Sequence, residues 1–364
     1  MLRLELLTDA TEFIHLPFKI YENNPYWVPP LISEEKKLIN SYWNPFIKDN
    51  NILFFVAKRN KEVVGRISIG QGEFFGFTEN VAFFGHFDVV EDYDVFKYIF
   101  DRIFAFLKIR GIKTIIGPIT FSTNFLCGLL VSGFDRQPSV LMPYNHKYYA
   151  QYFEKYGFTK VVDLFSFEIE KSQLKIPDKI VQFENKVSKK FLVKNITYSY
   201  FSENIERITN LFNQSWAQNL LFQKLYPHQT RFLVGSFKDI LNPDFCLAVE
   251  YENQLVAFSI ALPDYSTILK YLHGKVGIFK LYKLYTLMKN VDTIRVAVLG
   301  VSPQFRKQGV DILMIMETIR KGLLYGFKKG EISWVLETNK LLLNTLQKFH
   351  PLLKSIYRIY QAEI

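Results

Sequence analysis

Two sets of residues in this chain are spaced to do chemistry. The first lies in "LGVSPQFRKQGVDILM", Leu299–Met314, where an apolar strand passes into a helix through Pro303, Arg306, Lys307, Gln308 and Gly309. Free backbone N–H groups point outward from a helix start, and the helix dipole favours an anion there. A glycine lets a phosphate approach the backbone, and Arg306 and Lys307 add charge, so the turn reads as an anion cradle at the carboxyl edge of a strand. A strand-to-helix turn with a glycine and basic residues is also ordinary structure. The second set is carboxylates on strands. Glu250, in a hairpin strand, and Glu337, at the end of "SWVLE", stand where a base would take a proton from an amine. Each reads equally well as a surface charge or a helix cap.

Other chemistries leave no mark. The turn has too few glycines for a dinucleotide fingerprint and lacks the Lys-Ser/Thr of a P-loop. There is no HExxH, no Cys/His cluster and no GxSxG elbow, so neither a metal site nor a serine hydrolase is expected. Cys127 and Cys246 sit in apolar contexts and read as buried free thiols, and the six histidines are scattered singly.

The elements that must position these groups follow from periodicity. The first half carries a hairpin, "ILFFVAKRNKEVVGRISIG", and a strand, Val81–Val90. A helix follows with Phe96, Ile99, Phe100, Ile103, Phe104 and Leu107 on one face, then a strand, a helix near "YYAQYFEKYGF" and a strand. The second half repeats this order: a hairpin turning at Glu252–Gln254, the strand "TIRVAVLGV", a helix with Ile312, Met316, Ile319 and Leu323 buried, then "EISWVLET", "NKLLLNTLQKF" and a closing strand. Strand–helix–strand runs predict parallel neighbours and the hairpins an antiparallel part. The expected fold class is therefore α/β: two tandem domains, each a mixed twisted sheet with helices on both faces. The polar stretch between the halves places the boundary, giving domains 1–172 and 190–364 with a linker at 173–189 that contains a helical stretch.

The halves differ at the turn. After its strand the first half has Glu91, Asp92 and Asp94 at the helix start. Carboxylates ~5 Å from a diphosphate, at an effective dielectric of ~20, repel it by about 3 kcal/mol. The first half is thus expected to keep the fold without an anion site. Its long connection Thr120–Tyr149 offers Asn124, Tyr144, Asn145 and His146 as acceptor-binding groups, or as a satisfied structural loop. A second segment, Tyr265–Asn290, carries Lys270, Lys275, Lys280, Lys283 and Lys289 among apolar residues. It reads as a basic amphipathic helix for a membrane or an acyl chain, or as a helix packed on the sheet with solvated lysines.

"V-x-P-x-[YF]-R-x-x-G" between a strand and a long helix resembles motif A of the GNAT superfamily, the Gcn5-related N-acetyltransferases, matched here by Val301, Pro303, Phe305, Arg306 and Gly309. "ISWVLETN" resembles motif B, with Asn339 at its asparagine. The wider pattern, from "NPYWVPPL" to "YRIY", is similar to bacterial two-domain GNAT-like predicted acyltransferases of unassigned substrate. The resemblance implies an acyl-CoA-dependent N-acyltransferase, acetyl-CoA foremost, acting on a small amine or amino-acid-like acceptor in the cleft facing the first domain. It implies coenzyme A binding by Leu299, Gly300, Val301, Arg306, Lys307, Gln308, Gly309, Val310, Asp311 and Asn339. Asp311 departs from the family's Gly or Ala. The family's acid, a tyrosine about eight residues after the motif B asparagine, falls on Gln347; Tyr357 and Tyr360 on the last strand are the substitutes. These departures leave open a related binding protein without chemistry, or a transferase using a carrier-protein or tRNA donor.

Composition bounds the rest. The 364 residues are 49% hydrophobic and 16% aromatic, enough for two buried cores. No apolar run approaches the ~20 residues that cross a bilayer, and the amino terminus has no signal-peptide pattern, so a cytoplasmic monomer or dimer is expected. The formal charge of +10 is spread along the chain without a nucleic-acid-binding signature. It suits an anionic small ligand, or simply a lysine-rich proteome.

Overall fold

A computed structural model describes residues 1–77, 81–238, 240–277 and 281–364. The amino-terminal elements are β1 (Leu2–Leu6), α1 (Ala10–Ile20), α2 (Ile32–Leu38), α3 (Pro45–Asp49), β2 (Leu53–Arg59), β3 (Glu62–Gly72), β4 (Val81–Val89), α4 (Tyr93–Lys108), β5 (Thr114–Gly117), β6 (Leu129–Ser132), α5 (Tyr148–Tyr156) and β7 (Thr159–Glu170). There follow α6 (Asp178–Val187), β8 (Leu192–Asn195), α7 (Tyr198–Glu203), α8 (Ile205–Trp216), α9 (Pro227–Phe237), β9 (Cys246–Tyr251) and β10 (Gln254–Pro263). The remainder is α10 (Ser266–Leu272), α11 (Leu281–Lys289), β11 (Thr293–Val301), α12 (Val310–Leu324), β12 (Lys329–Leu336), α13 (Lys340–Gln347) and β13 (Leu352–Glu363).

The contacts divide the chain into two units made of separated segments. One holds 1–164, 265–289 and 355–364; the other holds 165–264 and 290–354. The sequence reading cut the chain once, at 173–189. Here the segment 265–289 and the end of β13 go with the amino-terminal unit, because hydrogen-bond partners of a strand are set by topology and not by nearness in sequence. The stretch read as a linker contains α6, whose Ile180 and Val187 pack on Ile312, Ile315, Met316, Val310 and Leu313 of α12.

In the first unit the strand order is β1-β2-β3-β4-β5-β13. The hairpin β2–β3 and the pair β3–β4 are antiparallel, while β4 and β5 are parallel. α4 forms because Val95, Phe96, Ile99, Phe100, Ile103 and Leu107 recur at helical spacing and Asp92 caps its start, accepting from the Asp94 and Val95 amides at 2.9 and 3.4 Å. That stripe meets Phe84, Phe87, Phe153 and Phe158, with centroids 4.9–6.2 Å apart. Such pairs each add about 0.5–1.5 kcal/mol beyond area burial. On the opposite face Phe13 of α1 packs against Phe54 and His86.

The second unit repeats the order: β12-β11-β10-β9-β8, with β9–β10 an antiparallel hairpin and β11–β12 parallel. α12 covers one face through Val310, Leu313 and Met314. The other face is covered by α7 and α8, through Phe201, Ile208 and Leu211. Each unit is thus a mixed sheet with helices on both faces. No helix among the described residues is long and apolar enough to cross a membrane, and none of them form a group of three or more metal-ligating side chains.

Candidate active site

In the second unit β11 and β12 are paired only from Thr293–Val296 against Lys329–Ile332. Beyond that rung they part. A register shift at Ile260/Ala261 of the neighbouring β10 marks a bulge in the pairing with β11 at the same level. The opened end of β11 runs into a short 3-10 turn, Pro303–Phe305, and then into the turn where Lys307 (φ 61°) and Gly309 (φ 85°) are left-handed. Gly309 caps α12 with no side chain accepting from its first turn. Its leading amides are therefore left without a side-chain cap.

The side chains of the turn brace it. The Arg306 guanidinium donates to the Ser215 carbonyl at 2.5 Å and to the Val301 carbonyl at 3.4 Å, tying the turn to α8. Gln308 accepts from Lys190 at 2.9 Å and donates to the Gln304 carbonyl at 3.0 Å. Lys307 is exposed. Gly309 also answers a packing demand: a Cβ there would stand 2.4 Å from the Phe183 ring and 2.8 Å from Val187, both of α6. Asp311 turns along the first turn of α12 toward α13, where Thr345 Oγ1 donates to it at 3.4 Å. Asn339 is the cap of α13, accepting from the Leu342 amide at 3.2 Å, and Glu337 lies in the turn just before it. Gln347 lines a cavity of about 300 Å³ with Phe167, Leu343, Leu346, His350 and Pro351.

Sequence reasoning missed a buried polar network at the rung where the strands part. Arg295 of β11 pairs in register with Glu331 of β12, and both turn to the face opposite α12. Arg295 donates to Ser333 Oγ at 2.9 Å and to the Ser333 carbonyl at 3.2 Å; Ser333 Oγ donates to Glu331 at 2.9 Å. Lys354 donates to the other Glu331 oxygen at 2.6 Å and reaches Glu168 at 3.2 Å. Glu331 is 1% exposed and Arg295 2%. Burial draws the Lys354 ammonium down, but Glu331 and Glu168 more than offset this, so its pKa is raised. The signal was one charge in each of three separate strands, Arg295, Glu331 and Lys354, which only the topology joins.

On that same face Trp216 of α8 lies on Gly300, where a Cβ would stand 2.5 Å from the indole. Trp216 stacks on Phe212 at 4.4 Å and meets Phe258 at 6.1 Å, and Phe212 meets Phe222 at 6.4 Å. This wall is aromatic. Buried beside the parted strands are polar atoms without a protein partner: Trp334 Nε1 of β12, Ser259 Oγ of β10 and Ser215 Oγ of α8.

The other expected groups stand elsewhere. Glu250, on β9, is ion-paired with Lys194 and lies two strands from β11. Tyr357 is 2% exposed on the part of β13 that belongs to the first unit, in register with Leu130, and Tyr360 donates there to Glu154 at 3.1 Å. In the first unit the turn after β4 is acidic: Asp92 caps α4 and pairs with Arg59, whose hydrogen bond holds the carboxyl below its usual range. The gap beside β4 is filled by its own chain, since the Ile119 amide donates to the Phe84 carbonyl at 2.7 Å and a Cβ on Gly85 would meet Ile119 O at 2.3 Å. Asn145 exchanges hydrogen bonds with the Leu130 backbone at 2.7 and 3.1 Å, and Tyr144 donates to the Phe134 carbonyl at 3.0 Å. His146 Nε2 contacts the Ile20 carbonyl at 3.2 Å and the ring stacks on Tyr21, while the Asn124 amide bonds Ser122 Oγ at 3.1 Å. All four are engaged in holding their loop. Cys127 and Cys246 are buried, and burial pushes both thiols up to about 12.

No protein-family profile matches the chain. Over 98% of its length it is 29% identical to "Protein YghO" of Escherichia coli, covering 93% of that protein. It is 27% identical to "Bacterial ceramide synthase" of Caulobacter vibrioides, over 98% of this chain and 95% of that one. Among solved structures, a tandem GNAT protein from the clavulanic acid biosynthesis pathway superposes on 100% of this chain and 98% of its own with a TM-score of 0.60, at 10% identity.

Proposed function

We propose that this chain, whose fold is that of the tandem Gcn5-related N-acetyltransferases, is an acyl-CoA-dependent N-acyltransferase whose second unit holds the thioester and whose acceptor is the amine of an apolar molecule. One observation carries the reading: β11 and β12 part directly in front of the amide-lined turn at Gly309. Bound with its diphosphate at that turn, an acyl thioester supplies an activated acyl group, the amide C–N bond forming as the C–S bond breaks and the amine losing a proton. The protein's part is placement and polarity. The amides of residues 307–312 take the diphosphate, and Trp334 Nε1 offers a donor to the chain between the strands. Glu331, reached through Ser333, is the carboxylate nearest the opening and takes the role expected of Glu250 or Glu337. The first unit, with its acidic turn and filled gap, takes no coenzyme.

The acceptor class rests on the wall of Phe212, Trp216, Phe222 and Phe258, and on the relative named ceramide synthase, whose product is an amide of a long-chain base. An aromatic wall rewards an alkyl chain more than a small amino acid. A second reading, favoured by Asp311 and by Gln347 at the family's tyrosine position, keeps the acyl-CoA site without turnover. Incubating the purified protein with acetyl- and palmitoyl-CoA, each with a sphingoid base or a panel of small amines, separates them. Amide product by mass spectrometry and released thiol are expected with the long-chain base. Thiol release with small amines alone would refute the acceptor class, and binding without release would favour the second reading.

A further inference from the structure

The segment between β10 and β11 of the second unit is grouped with the first. Its α10 is seated on the amino-terminal arm: the Ile32 amide donates to the Gly274 carbonyl at 3.0 Å, a Cβ on Gly274 would touch Phe18 and Ile32, and Lys270 bonds the Pro25 carbonyl. α11 follows. Its Leu284 and Leu287 are half-buried, while Tyr285 and Met288 point outward, 65% and 56% exposed, and Val276 before it is 59% exposed. Lys283 and Lys289 are exposed, lying over the Tyr271 and Tyr285 rings at 4.8 and 4.4 Å. Lys280 lies outside the described residues. Residues 265–291 hold five lysines and no carboxylate. The arm they pack against continues through α2, with Lys36 and Lys37 exposed, to Tyr42 and Trp43, 81% and 60% exposed. Its acids are the exposed Glu22, Glu34, paired with Lys37 at 2.9 Å, and the half-buried Glu35.

We infer that this face of the first unit docks on an anionic lipid bilayer. Lysines alone would suit any acidic partner. Here outward apolar and aromatic side chains stand among them, which is the composition of a helix lying at a headgroup boundary. A second copy of the chain is disfavoured, because a two-fold interface would bring the same lysines face to face. The inference rests on the charge and exposure of the first unit and does not depend on the reaction proposed above.

Flotation with vesicles tests it. Vesicles containing about a third phosphatidylglycerol should carry the full chain, pure phosphatidylcholine should not, and roughly 0.5 M salt should release it. Replacing Lys275, Lys283 and Lys289 together by alanine should weaken partitioning about a hundredfold, at about fivefold per lysine. Tyr285→Ser with Met288→Ser should weaken it without changing the salt dependence. Unchanged melting of these variants checks folding, and the salt titration of the parent protein stands if a variant fails to fold. Failure of the parent to float, equal binding to neutral vesicles, or capture by an acidic acyl carrier protein with no vesicle binding would overturn the inference. Loss of flotation with acyl transfer intact, or the reverse, tells the two proposals apart.

Discussion

The sharpest test of the coenzyme site is Gly309→Glu. In the function proposed above the turn's backbone amides take the diphosphate, so a carboxylate there acts on the anion directly. At ~5 Å and an effective dielectric of ~20 the repulsion is about 3 kcal/mol, or roughly 150-fold in affinity. At acyl-CoA 100 times its dissociation constant the parent gains about 2.7 kcal/mol by linkage, and the variant only about 0.3. For a unit of this size that is a rise in melting temperature of about 5–10 °C against about 1 °C. Any side chain at 309 also strains a φ of 85° and presses on Phe183, 2.4 Å from the new Cβ. Gly309→Ala is therefore the control. Both variants should melt lower without ligand, and only the glutamate should lose the ligand-induced rise. Asp311→Ala is the complementary arm: removing a carboxylate from the first turn of α12 should tighten binding by about 1–2 kcal/mol. A parent protein insensitive to millimolar acyl-CoA, or a Gly309→Glu variant that keeps its full shift, would refute the cradle.

Two further outcomes follow from the buried charges. Glu331→Gln leaves Lys354, 10% exposed in its side chain, with Glu168 as its carboxylate partner. Breaking such a pair should cost about 3 kcal/mol, with acyl transfer falling further than the lowered melting temperature explains; calorimetry beside a turnover assay reads both. Asp163 sits in a bidentate pair with Arg358 at 2.8 and 3.2 Å and beside Lys160 at 2.8 Å. Burial raises its carboxyl pKa, but these two cations pull it down further, and the net shift is downward from 3.8. A lowered folded-state pKa gives stability that is present above the unfolded value and lost as pH falls through the folded one. The melting temperatures of the parent and Asp163→Asn should differ near pH 6 and converge below pH 3.8; curves that stay parallel would show that the pair contributes nothing.

Much of the architecture was legible because it is local. Phe96 to Leu107 carried the helical period, "FCLAVEYENQLVAF" the hairpin, and Pro303–Gly309 the strand-to-helix turn. β1 was not read, because a short edge strand gives a weak pattern. β8 is largely exposed and gives less. The polar network escaped notice because Arg295, Glu331 and Lys354 are far apart in sequence and only parallel pairing brings the first two into one rung. The roles expected of Asn145 and His146 illustrate the opposite error. Polar residues in an apolar loop attract attention, yet here their atoms are committed to the backbone that shapes it.

The placement of β13 bears on how the protein comes to be made. Tyr360 to Glu363 close the first unit's sheet against Gly117 to Thr114, so the earliest segments to leave the ribosome cannot finish their own sheet edge until residues 355–364 have been synthesised. The second unit is completed sooner than the first, against the usual order of synthesis. A nascent chain stalled before residue 355 would leave open the edge of β5 that β13 covers, a natural binding point for holding chaperones and a hazard for aggregation.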